Sequence, residues 1–203
     1  TLSGKVRPAF SGSALRNWGV QPLLDGVLRL LPSPLERHVT HGVDNAGSQV
    51  EVKMDADEPL VALAFKVQLF DGRRHVFARI YRGTLNPGDE VGVFGRDIKE
   101  RVARVFGVDA NRKSRLTQAV AGQIVLLAGL RQATTGDTLH AVDSPIMLES
   151  IEAREPVLGL AIEADSSKEE EKLLEVLNKM SEEDPTLRYE EDAETGQRIL
   201  KGM

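Results

Sequence analysis

The chain has 203 residues, 41% of them hydrophobic and 28% charged, which excludes a disordered protein and suits one or two domains with a substantial core. No apolar run is long enough to cross a membrane as a helix, and the absence of cysteine excludes disulfides and thiolate metal sites. The net charge of −5 is uneven, because residues 59–145 carry 13 Lys/Arg against 8 Asp/Glu and residues 146–203 carry 7 against 16. A surface that binds polyanions is therefore expected in the middle of the chain.

The first predicted elements are a short strand, a small-residue turn and an amphipathic helix. Residues 8–15 begin with an apolar strand pattern and end in the turn. A continuous apolar stripe at helical spacing follows, formed by Val20, Leu23, Leu24, Val27, Leu28 and Leu31. Pro32 and Pro34 end the helix. The stripe needs a surface to pack on, and Thr1 neither is a methionine nor begins an apolar signal segment, so residues 1–34 are expected to be the end of a domain that lies mostly upstream.

The next segment, residues 35–58, is predicted to be a linker, because glycine, asparagine and serine are frequent in it and its end is acidic. From Pro59 the pattern changes to closely spaced short strands. A buried strand is expected over residues 60–67, and Asp71-Gly72 is typical of the turn of a β-hairpin.

Three further strand predictions follow this hairpin turn. Apolar and other residues alternate over residues 75–81, the pattern of a half-buried strand. Pro87-Gly88 then predicts a turn that pairs this strand with another beginning at Val91. Residues 100–106 are predicted to form a further strand.

The later part of this region completes the prediction of a barrel. Val102 and Val105 are expected to point inward, residues 109–117 to form a polar loop, and residues 124–130 to form the most apolar strand. Some six strands with turn residues between them favour a small antiparallel barrel over residues 59–145 rather than a sheet of parallel strands.

The pattern changes again in the last segment, residues 146–203. Residues 156–162 are predicted to be a strand, and a capping box beginning at Ser166 predicts a helix that Asp184-Pro185 ends. A hairpin is expected around residues 194–196. Strand, helix, strand, strand is the first part of a ferredoxin-like unit, so a truncated domain is predicted.

Three groups of motifs, in this order, resemble the elongation factor G family of translational GTPases. Residues 12–20 with 31–35 resemble the end of the GTPase domain, and G-x-L-x-x-G-D-x-V at 83–91 with T-G-D-T-L at 135–139 resemble the barrel of the second domain. E-D-P-T-L at 183–187 resembles the third domain. The resemblance implies a mainly β chain with an α+β part: a strand–helix remnant of a GTPase domain, a small antiparallel translation-factor β-barrel, and a truncated ferredoxin-like α+β domain.

The resemblance also implies where guanine nucleotide contacts would lie. Gly12-Ser13-Ala14 matches the fifth guanine-nucleotide motif, so Ser13 and Ala14 are expected to contact only the edge of the base. A G-x-x-x-x-G-K-[ST] loop is absent from the sequence, so no phosphate site, catalytic residue or cofactor is expected in this chain. The parent protein is expected to bind GTP with Mg²⁺, as a cytoplasmic ribosomal translocation factor that couples GTP hydrolysis to movement of tRNA and mRNA.

Basic residues of the barrel are the candidates for contact with ribosomal RNA. Lys99, Arg101 and Arg104 are expected to project away from the face that carries Val102. Members of the family use this domain against small-subunit ribosomal RNA, although a merely solubilising surface is the alternative. The full candidate set is Arg96, Lys99, Arg101, Arg104, Arg112, Lys113 and Arg115. No membrane contact is expected, and a monomer is predicted, with an oligomer through the truncated domain as the alternative.

Other interpretations compete with this one. Several motif positions depart from the family pattern, so a paralogue of elongation factor G, a peptide-chain release factor or a ribosomal-protection protein stays open as an alternative. An enzyme built on the acidic groups is the alternative from a different class. His38 and His41 form an H-x-x-H pair, but two further ligands are missing, so no metal site is predicted.

Overall fold

A computed structural model describes residues 5–36, 40–70, 72–110, 112–149, 156–164, 166–184, 186–192 and 196–202, without the side chains of 167 and 168. The chain divides into two compact units, Thr1–His38 and Val39–Met203. His38, one half of the predicted histidine pair, lies outside the described residues.

The first unit is organised around the helix α1 (Val20–Leu30), which confirms the helix predicted from the apolar stripe. The ring of Phe10 lies against Gly26 so closely that a Cβ at this glycine would be 2.3 Å from the Cζ atom of the ring. This contact needs a residue without a side chain and fixes the preceding segment on the helix. The rest of the stripe is uncovered in this unit, where Leu23, Leu24, Val27, Leu28 and Leu31 are exposed.

The short strand predicted at the start of residues 8–15 is not formed. Within residues 5–36 the only strand-like pairing is an isolated bridge between Ser13 and Trp18. Short 3-10 helices occupy Ala14–Arg16 and Pro34–Glu36. A strand needs a neighbouring strand for its backbone hydrogen bonds, and this unit offers none among the described residues.

The second unit contains most of the secondary structure. Its elements among the described residues are, in chain order, β1 (Thr40–Asp44), β2 (Gln49–Val52), β3 (Val61–Phe70), β4 (Arg73–Arg82), β5 (Thr84–Leu85), β6 (Glu90–Val93), β7 (Ile98–Arg101), β8 (Arg104–Asp109), β9 (Arg112–Leu116), β10 (Ala119–Val120), β11 (Ile124–Ala128), β12 (Thr138–Ala141), β13 (Ile146–Leu148), β14 (Leu158–Ile162), α2 (Ser167–Glu183), β15 (Arg188–Glu191) and β16 (Arg198–Gly202).

An antiparallel barrel forms the centre of this unit. Eight strands follow the order β7-β6-β12-β3-β4-β11-β8-β9, and β5 pairs with β10 beside them. β7 lies at one end of this order, and β8 lies one strand from the other end. Only Val102 and Ala103 separate these two strands in the chain, so the sheet curves round on itself. The fold therefore confirms the predicted antiparallel barrel. Its core is formed by side chains that are almost completely buried, among them Ile80, Val102, Val105, Leu127 and Leu139.

The two longest strands form a hairpin at the position that Asp71-Gly72 predicted. Phe70 pairs with Arg73, and Gly72 takes a left-handed φ of 67°, which glycine adopts without steric cost. We call residues 69, 70 and 72–74 the hairpin tip. Phe70 and Arg74 of this tip take part in the contacts described below.

One predicted pairing is wrong. β4 lies between β3 and β11, whereas β6 lies between β7 and β12, so residues 75–81 do not pair with the strand that begins near Val91. The turn at Pro87-Gly88 instead leads into β6, between β7 and β12. The N–H of Gly88 in this turn donates to the carbonyl of Val102 at 2.7 Å.

Residues 109–117, predicted to be a polar loop, contain a strand instead. Residues Arg112–Leu116 form β9, which pairs with β8 from Val105 opposite Leu116 to Asp109 opposite Arg112. The side chains of this strand are mostly exposed, so it lacks the apolar alternation by which a half-buried strand is recognised. We call the β8–β9 hairpin the cationic arm.

A three-stranded sheet, in the order β13-β1-β2, lies outside the barrel. Two of its strands fall in residues 35–58, the segment predicted to be a linker, and the third falls at the start of the predicted last domain. A second apolar cluster is shared between the barrel wall and this sheet. It comprises Val52, Val61, Ile146 and Leu148, with Val50, Leu63 and Tyr81 packed against them.

The last part of the chain confirms the predicted order of strand, helix, strand, strand. The three strands form a sheet in the order β14-β16-β15. Ser166 caps α2, because its hydroxyl accepts the N–H of Glu169 at 3.4 Å, and Asp184 follows the last helical residue. Tyr189 of β15 donates its hydroxyl to Asn178 of the helix at 2.7 Å, which ties the helix to the sheet.

Candidate nucleic-acid interface

The turn predicted to contact a guanine base is held by its own backbone. The N–H of Ser13 donates to the carbonyl of Trp18 at 2.8 Å, and the N–H of Trp18 donates to the carbonyl of Ser13 at 3.0 Å. Ala14 begins the 3-10 helix that follows. The N–H group of Ser13 is therefore already bonded within the turn.

Two of the predicted RNA-contacting residues lie on the outer face of β7. Alternation along this strand turns Ile98 and Glu100 toward the barrel and leaves Lys99 and Arg101 exposed. The Nε group of Arg101 donates to the carbonyl of Gly88 at 3.1 Å, which orients its guanidinium. The prediction that Lys99 and Arg101 face solvent is confirmed.

The cationic arm carries four more of the candidates, and its register divides them between two faces. Val105 points into the core and pairs with Leu116, so every second residue from this pair shares the inner direction. This places Arg112 on the same side as its partner Asp109. The other three, Arg104, Lys113 and Arg115, lie on the outer face, where all are exposed.

The arm also reaches the hairpin tip. The Nζ atom of Lys113 lies 4.7 Å from the centre of the Phe70 ring, a distance at which a cation is attracted to the face of an aromatic ring. Burial, and then the nearby charge of Lys113, hold the pKa of His75 below its usual value. The tip and the arm therefore bring Lys113, His75 and Phe70 together, which their positions in the sequence do not indicate.

Arg96 differs from the other candidates, because its guanidinium is bonded within the barrel. Nη2 lies 2.9 Å from the carboxylate of Asp137 and 3.1 Å from the hydroxyl of Thr134, and Nη1 donates to the carbonyl of Gln132 at 3.3 Å. The side chain is 41% exposed, so it keeps a solvent-facing part. Much of its charge is nevertheless compensated by Asp137.

Sequence reasoning missed two residues, Glu100 and Arg74, whose side chains bind the backbone of residues 131–133. The carboxylate of Glu100, a residue only 8% exposed, accepts the backbone N–H groups of Arg131, Gln132 and Ala133, the last two at 2.9 Å. Arg74 donates to the carbonyl oxygens of Arg131 and Ala133, the latter at 2.6 Å. One signal was available for Glu100: its strand alternation places an acidic side chain on the inward face, which requires partners.

Other kinds of site find no support in the part of the chain that the structure describes. No group of three or more His, Cys, Asp or Glu side chains among those residues could hold a metal ion. His41, predicted to lie in a loop, lies on β1 instead, where the strand pairs with β2 and β13. None of the described helices combines the length and the apolar character needed to cross a membrane.

Two family models match the chain, one for each of its last two predicted domains. The model described as elongation factor Tu domain 2 matches residues 73–140, and the model described as elongation factor G, domain III, matches residues 154–203. These ranges contain the barrel strands from β4 to β11, most of β12, and the β14-α2-β15-β16 segment.

Curated proteins and solved structures agree with the family models. Elongation factor G 2 of Syntrophus aciditrophicus strain SB is 43% identical over 204 residues, elongation factor G 1 of Geobacter sulfurreducens 44% over 203, and elongation factor G of Rhodopseudomonas palustris strain BisB18 45% over 204. Each match covers the whole chain, but the chain spans only 29% to 30% of the length of these relatives. A crystal structure of a protein from Thermus thermophilus superposes with a TM-score of 0.73 at 28% identity, over 94% of this chain and 26% of that one.

Proposed function

We propose that the chain, which is 43% to 45% identical to elongation factor G proteins along its whole length, is part of a member of that family and forms the ribosome-docking part of a translocation factor in the cytoplasm. In this proposal the barrel contacts ribosomal RNA of the small subunit. The β14-α2-β15-β16 segment transmits the nucleotide state of the parent protein to movement of tRNA and mRNA. GTP and Mg²⁺ are bound, and GTP is hydrolysed, by a phosphate site elsewhere in the parent, with Ser13 and Ala14 contributing an edge of the base pocket.

The observation that carries the proposal is the run of exposed cations on β7 and the cationic arm. Lys99 and Arg101 face solvent on β7, and Arg104, Lys113 and Arg115 share the outer face of the arm. Exposed side chains of this type bind phosphate groups without reading base sequence. Arg96 and Arg112 are expected to contribute less, because each has a carboxylate beside or opposite it.

The experiment is co-sedimentation with small ribosomal subunits over a range of salt concentrations. Each phosphate that a protein neutralises on a duplex lowers affinity by about 0.9 log units per log unit of salt. With roughly three to five contacts, raising salt from about 50 to about 200 mM should weaken binding roughly 40- to 500-fold.

A triple variant tests which residues make the contacts. Replacing Lys99, Arg101 and Arg104 by alanine should make the salt dependence shallower, by about 0.9 units of slope for each contact removed. The matched control variant loses three exposed cations of the first unit, Lys5, Arg7 and Arg29, and should keep the slope of the parent chain. An unchanged slope in the barrel variant would show that its cations only keep the surface soluble.

A further inference from the structure

The last turn of α2 has an unusual distribution of charge. It contains Glu182 and Glu183, Asp184 follows as the C-cap, and the turn has no basic residue. The carbonyl end of a helix carries partial negative charge, so carboxylates there destabilise the helix and cations stabilise it. Asp184 is compensated locally, because its side chain accepts the N–H and the hydroxyl of Thr186 at 2.9 and 2.6 Å. The two glutamates need a partner from outside the helix.

The barrel provides that partner at the hairpin tip. Nη1 of Arg74 lies 3.6 Å from a carboxylate oxygen of Glu182, and the backbone N–H of Leu69 donates to the carboxylate of Glu183. The Arg74 side chain is only 14% exposed and that of Glu182 is 43% exposed. One cation and one backbone donor of the barrel therefore face two carboxylates of the helix.

Arg74 is fixed in place independently of the helix. Its Nη2 group donates to the carbonyl of Ala133 at 2.6 Å, and its Nη1 group donates to the carbonyl of Arg131. The N–H groups of this loop are bound in turn by Glu100. A guanidinium held in this way loses little conformational freedom when a carboxylate approaches. The ion pair between Arg74 and Glu182 is therefore expected to have one defined geometry.

The surroundings of this contact are not tightly packed. A cleft of about 600 Å³ lies beside it, lined by Thr134, Thr135, Asn178, Ser181 and Glu182. The hydroxyl of Ser181 is buried without a hydrogen-bond partner. On the same helix Val176 and Met180 are 44% and 46% exposed. Leu177 is the buried apolar residue of this helix, and the polar contacts with the hairpin tip act in addition to its packing.

We propose that Glu182 and Glu183 form a carboxylate latch that sets the position of the β14-α2-β15-β16 segment on the barrel, with Arg74 as its positioning residue. The latch is ionic and partly exposed, so it opens when its carboxylates are neutralised and weakens when salt screens them. It is independent of whether the barrel binds RNA.

The distance between the barrel and α2 tests the latch directly. The chain contains no cysteine, so Glu90→Cys and Lys172→Cys introduce two exposed sites for spin labels without any background thiol. Pulsed electron paramagnetic resonance then gives the distribution of distances between the two labels. In the otherwise unchanged chain we expect one narrow population, and with Glu182→Gln and Glu183→Gln we expect a broader distribution with a second, longer distance.

A matched control removes two charges from the same helix away from the latch. Glu171→Gln with Glu175→Gln should leave the distance distribution unchanged, because both side chains are exposed and neither contacts the barrel. Arg74→Lys tests the barrel side. It keeps the positive charge but loses the planar fork, so it should broaden the distribution less than the double glutamine variant does.

Three results would overturn the proposal. The first is a broad distribution in the chain with an intact latch. The second is an unchanged distance in the Glu182→Gln, Glu183→Gln variant together with a more stable α2, which is the outcome if these carboxylates act only on the helix dipole. The third is equal broadening in the control variant. Circular dichroism of every variant confirms that the barrel is folded.

Discussion

The carboxylate of Glu100 and the guanidinium of Arg74 hold opposite sides of one loop. Glu100 accepts the N–H groups of residues 131–133, while Arg74 binds the carbonyl oxygens of Arg131 and Ala133. Arg96 binds the remaining carbonyl, that of Gln132. The backbone of this three-residue loop is therefore fully bonded by side chains rather than by a neighbouring strand.

The first prediction is that Glu100→Ala destabilises the barrel far more than a surface glutamate does. It leaves three backbone N–H groups without their acceptor, at about 1–3 kcal/mol for each group that stays buried. Because two of the three loop residues are exposed and water can reach their backbone, we expect a loss of about 3 kcal/mol. Urea unfolding measures it, with Glu90→Ala on the exposed side of β6 as the control. Equal effects of the two changes would contradict the role assigned to Glu100.

The second prediction is that the 203-residue chain does not bind GTP or GDP at micromolar concentration. Proteins hold a nucleotide chiefly through its phosphates, and the sequence has no G-x-x-x-x-G-K-[ST] loop to bind them. Titration with a fluorescent guanine nucleotide should show no saturable signal below about 1 mM. An intact elongation factor G serves as the positive control, and micromolar binding by this chain would refute the prediction.

The third prediction is that the region after Pro156 exchanges its amide protons faster than the barrel does. Leu158 and Leu160 of β14 are 68% and 72% exposed, and Val157 before it is 84% exposed, so this strand contributes little buried apolar surface. Segments with few buried contacts open locally at low free energy. Hydrogen exchange followed by mass spectrometry compares β14 with β4. Equal protection of the two strands would indicate that another surface, such as a second copy of the chain, covers β14.

The fourth prediction concerns pH. The pKa of His75 is lowered chiefly by burial and then by Lys113, so the folded chain takes up this proton at lower pH than the unfolded chain does. As pH falls below about 6.5 the unfolded state gains the proton first, and stability falls until the pH passes the folded pKa. His75→Gln should therefore lose less stability than the parent chain between about pH 8 and about pH 5. Urea midpoints measure this difference.

Lys113 provides a control for the same effect. Lys113→Gln removes the second cause of the shift while leaving His75 in place, so its pH dependence should lie between those of the parent chain and His75→Gln. Identical pH profiles for all three proteins would contradict the assignment of the effect to His75.

The sequence predicted correctly those elements that are determined by residues close together in the chain. The stripe of α1, the turn at Asp71-Gly72 and the cap at Ser166 depend on neighbouring residues, and the structure confirms all three elements. β13 was not foreseen as the partner of β1, because about one hundred residues separate them. β9 was missed for a different reason, since its exposed polar side chains have no alternation to detect.

In the candidate site too, local features were predicted from the sequence and long-range contacts were not. Alternation alone predicted that Lys99 and Arg101 face outward, and they do. The position of Lys113 over Phe70 depends on how the cationic arm bends toward the hairpin tip, which is a tertiary property. The partners of Glu100 are backbone groups of a distant loop, and no side-chain pattern identifies a backbone donor.

The exposed edge of β9 has a consequence for any experiment on the arm. Among the described residues this strand is the last in the order of the barrel sheet, which leaves one row of its backbone groups open to pairing with another chain. Arg112, Lys113 and Arg115 keep that edge charged, and like charges on two molecules oppose their association through it. Neutralising the arm would therefore remove a barrier to aggregation along with any phosphate contacts. Variants confined to β7 and Arg104 separate these effects, because they leave the charged edge intact.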